Sequence, residues 1–153
     1  MTNPLKFLEA IHKGGVRYLL IGRQAMIIYG IPVGTMDYDL YIDGGKENTS
    51  IFLKIASEFE LYPSVAPKDM KKHFMFKLEN EITIDVFRPK QIVNIEGESL
   101  QFEDMFKRKE VLKERGFAMN VPCLEDLIKL KKTGRQKDKI DVEYLEKLIK
   151  IKE

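Results

Sequence analysis

The sequence predicts an α/β (α+β) chain: a mixed β-sheet flanked by helices, with a helical C-terminal segment. Three observations carry this. Apolar residues of helical and of strand period alternate between residues 4 and 89. Glycines and prolines punctuate the runs. Residues 124–153 keep helical spacing with one break. The length, 153 residues, fits one domain spanning 1–153, with 124–153 as its helical C-terminal part.

Taken in order, "TNPLKFLEAIHKGG" is a helix that Thr2 or Asn3 caps, with Pro4 in the first turn and Gly14-Gly15 as the stop. "VRYLLIG" is a short buried strand and "RQAMIIYG" a short helix closed by Gly30. Pro32 and Gly34 mark a loop, "MDYDLYI" is the next strand, and "DGGKEN" stops it. "NTSIFLKIASEFEL" is a helix capped by Asn48 or Thr49, with Ile51, Phe52, Ile55 and Phe59 expected inside. "KDMKKH" reads as an exposed loop.

"HFMFKLE", the turn "NE" and "ITIDVFRP" form a hairpin that Pro89 ends, with Met26 and "FMF" as core. "LQFEDMFKR" is a short helix, and "KEVLKERGFAMNVP" a second hairpin turning at Arg115-Gly116. The remainder is helical, broken near Gly134. One face carries Leu124, Leu127, Ile128 and Lys131; a later one carries Ile140, Tyr144, Leu148 and Ile151.

Bulk composition narrows the function. With 44% hydrophobic residues the chain can build a core. Lys plus Arg is 26 against 24 Asp plus Glu, a net charge of +2, so no broad nucleic-acid binding is expected. Cys123 is the single cysteine, which excludes an internal disulfide, and His12 and His73 stand apart, outside any zinc spacing. "MTNPLKFLEA" lacks the apolar run of a signal peptide, and "AMIIYGIPV" is too short to span a bilayer. The expectation is a cytoplasmic protein with no membrane partner.

The chemistry gathers on acids within strands. On "MDYDLYI" alternation sends Asp37, Asp39, Tyr41 and Asp43 to one face, and Tyr38, Leu40 and Ile42 to a core face. Asp37 and Asp39 then lie roughly 6–7 Å apart along the strand. Like charges at that spacing repel, and a divalent cation removes the conflict; a solvated face, or pairing with Lys or Arg, is the alternative. In "EITIDVFRP", Asp85 is a lone carboxylate inside a second apolar strand, which needs a metal or a partner such as Arg88 or a lysine. Asp43, against Gly44-Gly45, reads as a turn residue. Tyr41 reads as core or rim rather than a base-stacking ring. Gly22 stands between strand and helix, where a backbone can approach phosphate closely. Asp138 and Asp141 share a helix face and read as caps or as partners of Lys and Arg.

The ordered set "IG", "AM..YG", "T.DYDLYI", "IDVF" and the tail "VPCLEDLIKLKKTGRQKDKIDVEYLEKL" resembles the DNA polymerase β-like nucleotidyltransferase superfamily, in particular its minimal bacterial members of the abortive-infection toxin type. The likeness spans about Tyr18 to Leu148. It implies the nucleotidyltransferase fold and transfer of a nucleoside monophosphate from an NTP, with ATP the first guess, to an unidentified acceptor, with pyrophosphate leaving. It implies Asp37, Asp39 and Asp85 as catalytic and metal-binding carboxylates, holding two Mg2+ ions with Mn2+ as substitute. Gly22 opens the phosphate turn, and Arg23, Lys131, Arg135 and Lys137 are the candidate phosphate contacts.

Two positions depart from the family pattern. Arg23 stands where a second Gly or a Ser is usual, and Val33 where relatives often carry Arg. Arg23 either replaces a phosphate ligand or obstructs the turn. The alternative function is therefore a catalytically impaired nucleotide-binding module, such as a toxin–antitoxin component with an antitoxin-like partner. A third reading, RNA contact through the basic tail, is opposed by the small net charge.

Overall fold

The computed structural model describes residues 3–114 and 116–153. Asn3 caps helix α1 (Pro4–Lys13), its side-chain oxygen accepting from Leu5 N at 2.9 Å. Thr2, the other expected cap, and Arg115, the expected hairpin corner, lie outside the described residues. Strand β1 (Tyr18–Ile21) runs directly into α2 (Gly22–Ile28), and a loop leads to β2 (Tyr38–Ile42). Then come α3 (Lys46–Glu58), the two-residue strand β3 (Tyr62–Pro63), a 3-10 turn (Pro67–Lys72), and the hairpin of β4 (Met75–Glu79) and β5 (Thr83–Phe87). A small hairpin, β6 (Gln91–Val93) and β7 (Ser99–Gln101), leads into α4 (Phe102–Lys107). A second one, β8 (Glu110–Glu114) and β9 (Phe117–Val121), precedes α5 (Leu124–Leu130) and α6 (Gln136–Lys152).

The main sheet has the order β1-β2-β5-β4-β3. The β2–β5 pair is parallel and the other pairs are antiparallel, giving the expected mixed sheet. The parallel pair follows from the long crossover through α3 that separates its strands. Pleating sends Leu20, Leu40, Ile42, Phe76, Leu78, Ile84 and Val86 into one core with Phe7, Leu8 and Ile11 of α1 and Phe52 and Ala56 of α3. On the other face Leu19 and Tyr41 pack with Leu100, Phe102 and Met105. Tyr41 is therefore a core side chain, its hydroxyl donating to Pro89 O at 2.7 Å. Each such buried side chain contributes about 1.5–3 kcal/mol by leaving water. Where the second core stops, this face carries the acids.

Five local expectations are corrected. Helix α3 starts at Lys46 behind Gly45, so Asn48 and Thr49 are not caps but buried residues inside it. Asn48 bonds the backbone of Arg17 on both sides and Asp43 O, tying α3 to β1 and β2. Phe52 and Ala56 are buried and Ile55 and Phe59 pack part-buried against the same core, as expected, whereas Ile51 is exposed. "KDMKK" is a 3-10 turn that buries Met70. Of "FMF" Phe76 alone is core; Phe74 and Met75 are exposed. Helix α6 turns Asp138, Asp141 and Leu145 inward and leaves Ile140, Tyr144 and Ile151 exposed. Val142, Leu145, Leu148 and Ile149 pack on the main core beside the two aspartates, so ion pairs and an apolar stripe orient the helix together.

Candidate active site

A row of side chains crosses four strands on the odd-numbered face. The register pairs Ile21 with Asp39, Asp39 with Asp85, and Asp85 with Lys77. Residues directly opposite in neighbouring strands point to the same side and have Cβ atoms about 4.5–5.5 Å apart. Two carboxylates, Asp39 and Asp85, thus stand side by side. Asp37 immediately precedes β2 and is exposed. Burial pushes the Asp39 carboxyl up to about 6, aided by the negative charges of Asp85 and Asp37 and opposed by Lys131 and Lys137. Among the described residues no side chain hydrogen-bonds or ion-pairs with Asp37 or Asp39, whereas Lys77 Nζ lies 3.1 Å from Asp85 Oδ1. That hydrogen bond holds the Lys77 ammonium above its ordinary value. Asp85 therefore has the lysine partner that its sequence setting left open, and Arg88 instead donates to the carbonyls of Met70, His73 and Gly44.

Gly22 touches this row from the end of β1. Its φ is +71°, in the left-handed region, and a Cβ there would meet Asp39 Oδ2 at 2.6 Å. Both the turn and the space require glycine. Arg23 leaves the turn sideways. Its Nε and Nη2 donate to the two oxygens of Asp141 at 3.2 and 3.1 Å, and Nη1 donates to Gly34 O at 3.3 Å. Arg23 fastens α2 both to α6 and to the loop that leads to Asp37.

Across a cleft of about 320 Å³ stand the cations of the C-terminal helices. Its lining includes Gly22, Arg23, Asp37, Asp39, Lys131, Arg135 and Lys137, with an apolar wall of Ile21, Phe87, Ile92, Leu127 and Leu130. Lys131 is buried, its Nζ 2.7 Å from Asp141 Oδ2 and 3.6 Å from Asp138 Oδ1. Arg135 Nε donates to Asp138 Oδ2 at 2.6 Å, and the Thr133 hydroxyl donates to the same oxygen. Burial alone would raise both carboxyls. The bonds from Arg23 and Lys131 hold Asp141 below its ordinary value, and those from Thr133 and Arg135 do so for Asp138. Asp138 and Asp141 are thus partners of Lys and Arg, as their spacing allowed. Lys137 is exposed and has no hydrogen bond or ion pair among the described residues.

The fold gathers every sequence-predicted site residue except Asp85 onto the cleft wall, and Asp85 stands next to Asp39 in the row. The residue that sequence reasoning missed is Lys77. Chemically the site opposes Asp37 and Asp39, unpartnered among the described residues, to guanidinium and ammonium groups on the C-terminal helices, with a glycine turn between them. Such a cleft suits a ligand that is anionic at one end and carries a cation or a polar group at the other.

No protein-family model and no curated protein sequence matches the chain. Among solved structures the chain is similar to TM1012 of Thermotoga maritima, described as a candidate nucleotidyltransferase, at 18% identity and a TM-score of 0.57, covering 99% of this chain and 93% of that one. It is also similar to the lincosamide antibiotic adenylyltransferase LnuA, solved with lincomycin bound, at 15% identity and a TM-score of 0.64, covering 94% of each chain. At these identities the likeness is one of architecture, and it extends over nearly the whole length: the chain has the nucleotidyltransferase fold.

Proposed function

We propose that the chain is a divalent-cation-dependent nucleotidyltransferase that moves a nucleoside monophosphate from an NTP to an acceptor hydroxyl. The observation that carries this reading is the side-by-side pair Asp39 and Asp85, with Asp37 beside it, against the Gly22 turn. The donor set is suited to Mg2+, which is commonly held by one or two carboxylates together with substrate phosphates. Among the described residues no three His, Cys, Asp or Glu side chains form a ready cage. Asp37 and Asp39 are the two carboxylates that would hold the ion, with the nucleotide completing its shell. When bound, the ion neutralises phosphate charge and makes the α-phosphorus more electrophilic.

The chain's own residues supply the rest. Lys137 and the terminal nitrogens of Arg135 meet the triphosphate across the cleft, since Arg135 uses only Nε on Asp138. The acceptor oxygen attacks the α-phosphorus, the bond to pyrophosphate breaks, and the hydroxyl proton passes to Asp85. ATP is the donor to test first, because LnuA is an adenylyltransferase. The assay is transfer of label from each α-labelled NTP with Mg2+ or Mn2+ to small hydroxylic drugs, RNA and protein. Label transfer with pyrophosphate release is expected and Asp39→Ala should abolish it; full activity in that variant overturns the reading.

A second reading, a nucleotide-binding module without turnover, is favoured by one observation: Arg23 and Lys131 are both committed to Asp141. Calorimetry separates the two. NTP binding with no pyrophosphate released in any acceptor mixture supports the module.

A further inference from the structure

We propose that Lys77 is a positioning residue of the acidic site, an ammonium that stands beside Asp85 in place of a second divalent cation and reserves that carboxylate for the acceptor's proton. The inference rests on the cation reading of Asp37 and Asp39 given above. The row Ile21–Asp39–Asp85–Lys77 has one carboxylate pair at its centre and one cation at its end. Lys77 reaches Asp85 Oδ1 at 3.1 Å, while Asp37 and Asp39 have no such partner among the described residues. The three acids are therefore unequal: two are available as donors, and one is neutralised by the protein itself.

The chain geometry enforces that inequality. Lys77 lies between Phe76 and Leu78, both buried in the main core, so its strand cannot rotate to withdraw it from the acid face. The antiparallel register places it directly opposite Asp85 rather than diagonal to it. A second ion bridging Asp39 and Asp85 would approach the ammonium within like-charge range, and Asp85 would have to exchange one cation for the other. With Lys77 in place, the cation demand of the site is met by Asp37 and Asp39, and Asp85 keeps an oxygen for the incoming proton.

The test counts protein-bound Mn2+ by electron paramagnetic resonance on the full chain saturated with a non-hydrolysable NTP, alongside circular dichroism. Wild type is expected to bind one Mn2+. Lys77→Met, on an exposed side of β4, is expected to stay folded and to bind two; Lys77→Met with Asp85→Asn is expected to return to one. Lys77→Arg is expected to keep a single site. Two ions on wild type, or one ion on Lys77→Met, overturns the role of Lys77 and leaves the cation reading standing. No Mn2+ on wild type overturns the cation reading, and this inference with it.

Discussion

Arg23 grips Asp141 with two nitrogens, at 3.2 and 3.1 Å, across 118 positions of sequence. Asp141 is fully buried and also holds Lys131 at 2.7 Å. One carboxylate thus pairs with two cations, and in doing so it seats α6 against α2. Removing it strands Arg23 and leaves the buried Lys131 with Asp138 alone, 3.6 Å away. Asp141→Ala is expected to cost about 3–5 kcal/mol, and Arg23→Ala less, about 1–2 kcal/mol, because Lys131 still satisfies the acid. Urea unfolding with an unchanged slope measures both. The sign of the pH dependence follows from the depressed Asp141 carboxyl. Its contribution is complete above the unfolded aspartate value of 3.8 and is lost as pH falls through the lower folded value. An Arg23→Ala protein that keeps its stability but loses NTP affinity would make Arg23 a phosphate ligand instead.

Lys137 offers the opposite behaviour. It is exposed, lines the cleft and lacks a hydrogen bond or ion pair among the described residues. Lys137→Ala should leave the unfolding midpoint within error and raise the KM for NTP roughly tenfold, the scale of one lost charge-assisted contact. Steady-state kinetics beside a thermal melt checks both halves. A fall in stability with unchanged KM contradicts the assignment.

Which features the sequence disclosed depended on whether they were local. The period-2 pattern of "DYDLYI" and "ITIDVF", the cap at Asn3 and the break at Gly134 each involve neighbours in the chain, and each was legible. The parallel pairing of Asp39 with Asp85 was legible only as a condition, that the two strands be adjacent. Lys77 was hidden by one residue of turn length. A two-residue turn at Asn80-Glu81 pairs Glu79 with Ile82 and puts Phe76 opposite Asp85. The real connection closes on Glu79 and Thr83, which moves Lys77 opposite Asp85. Helix α6 misled for a different reason. Ile140, Tyr144, Leu148 and Ile151 suggested an inward stripe; Leu148 does pack on the core, but the face that turns inward is that of Asp138, Asp141, Val142 and Leu145, where the acids pair with Arg23 and Lys131.

Gly22 is where shape and chemistry meet most tightly. Gly22→Ala forces an L-residue to φ +71° and drives a Cβ to within 2.6 Å of Asp39 Oδ2. The backbone strain alone is about 1–2 kcal/mol. The short Asp39 side chain has to shift as well, so activity is expected to fall further than stability does. Chemical unfolding and the transfer assay on the same preparation read the two losses separately; equal activity in wild type and variant would show that Asp39 does not need its place beside the turn.

The charge on Asp39 gives the last prediction. Its carboxyl is pushed up to about 6 by burial and by Asp85 and Asp37, above the unfolded value of 3.8. A native state that binds the proton more tightly than the unfolded state is most favoured at low pH, so Asp39 costs stability progressively as pH rises from about 4 to about 6. Asp39→Asn should therefore stabilise the metal-free protein at pH 7.5 and gain nothing near pH 3.5. The full shift corresponds to roughly 3 kcal/mol, but Asp39 is part-exposed and solvent screening reduces this to about 1 kcal/mol. A divalent cation favours the ionised carboxylate, so Mg2+ should raise the melting temperature of wild type at pH 7.5 more than at pH 5, and should do so less in Asp39→Asn. Melting curves of both proteins at three pH values, with and without Mg2+, make the comparison. An Asn variant that is less stable than wild type at pH 7.5 without metal would mean that the carboxylate is neutralised within the chain, and that the site does not need a cation.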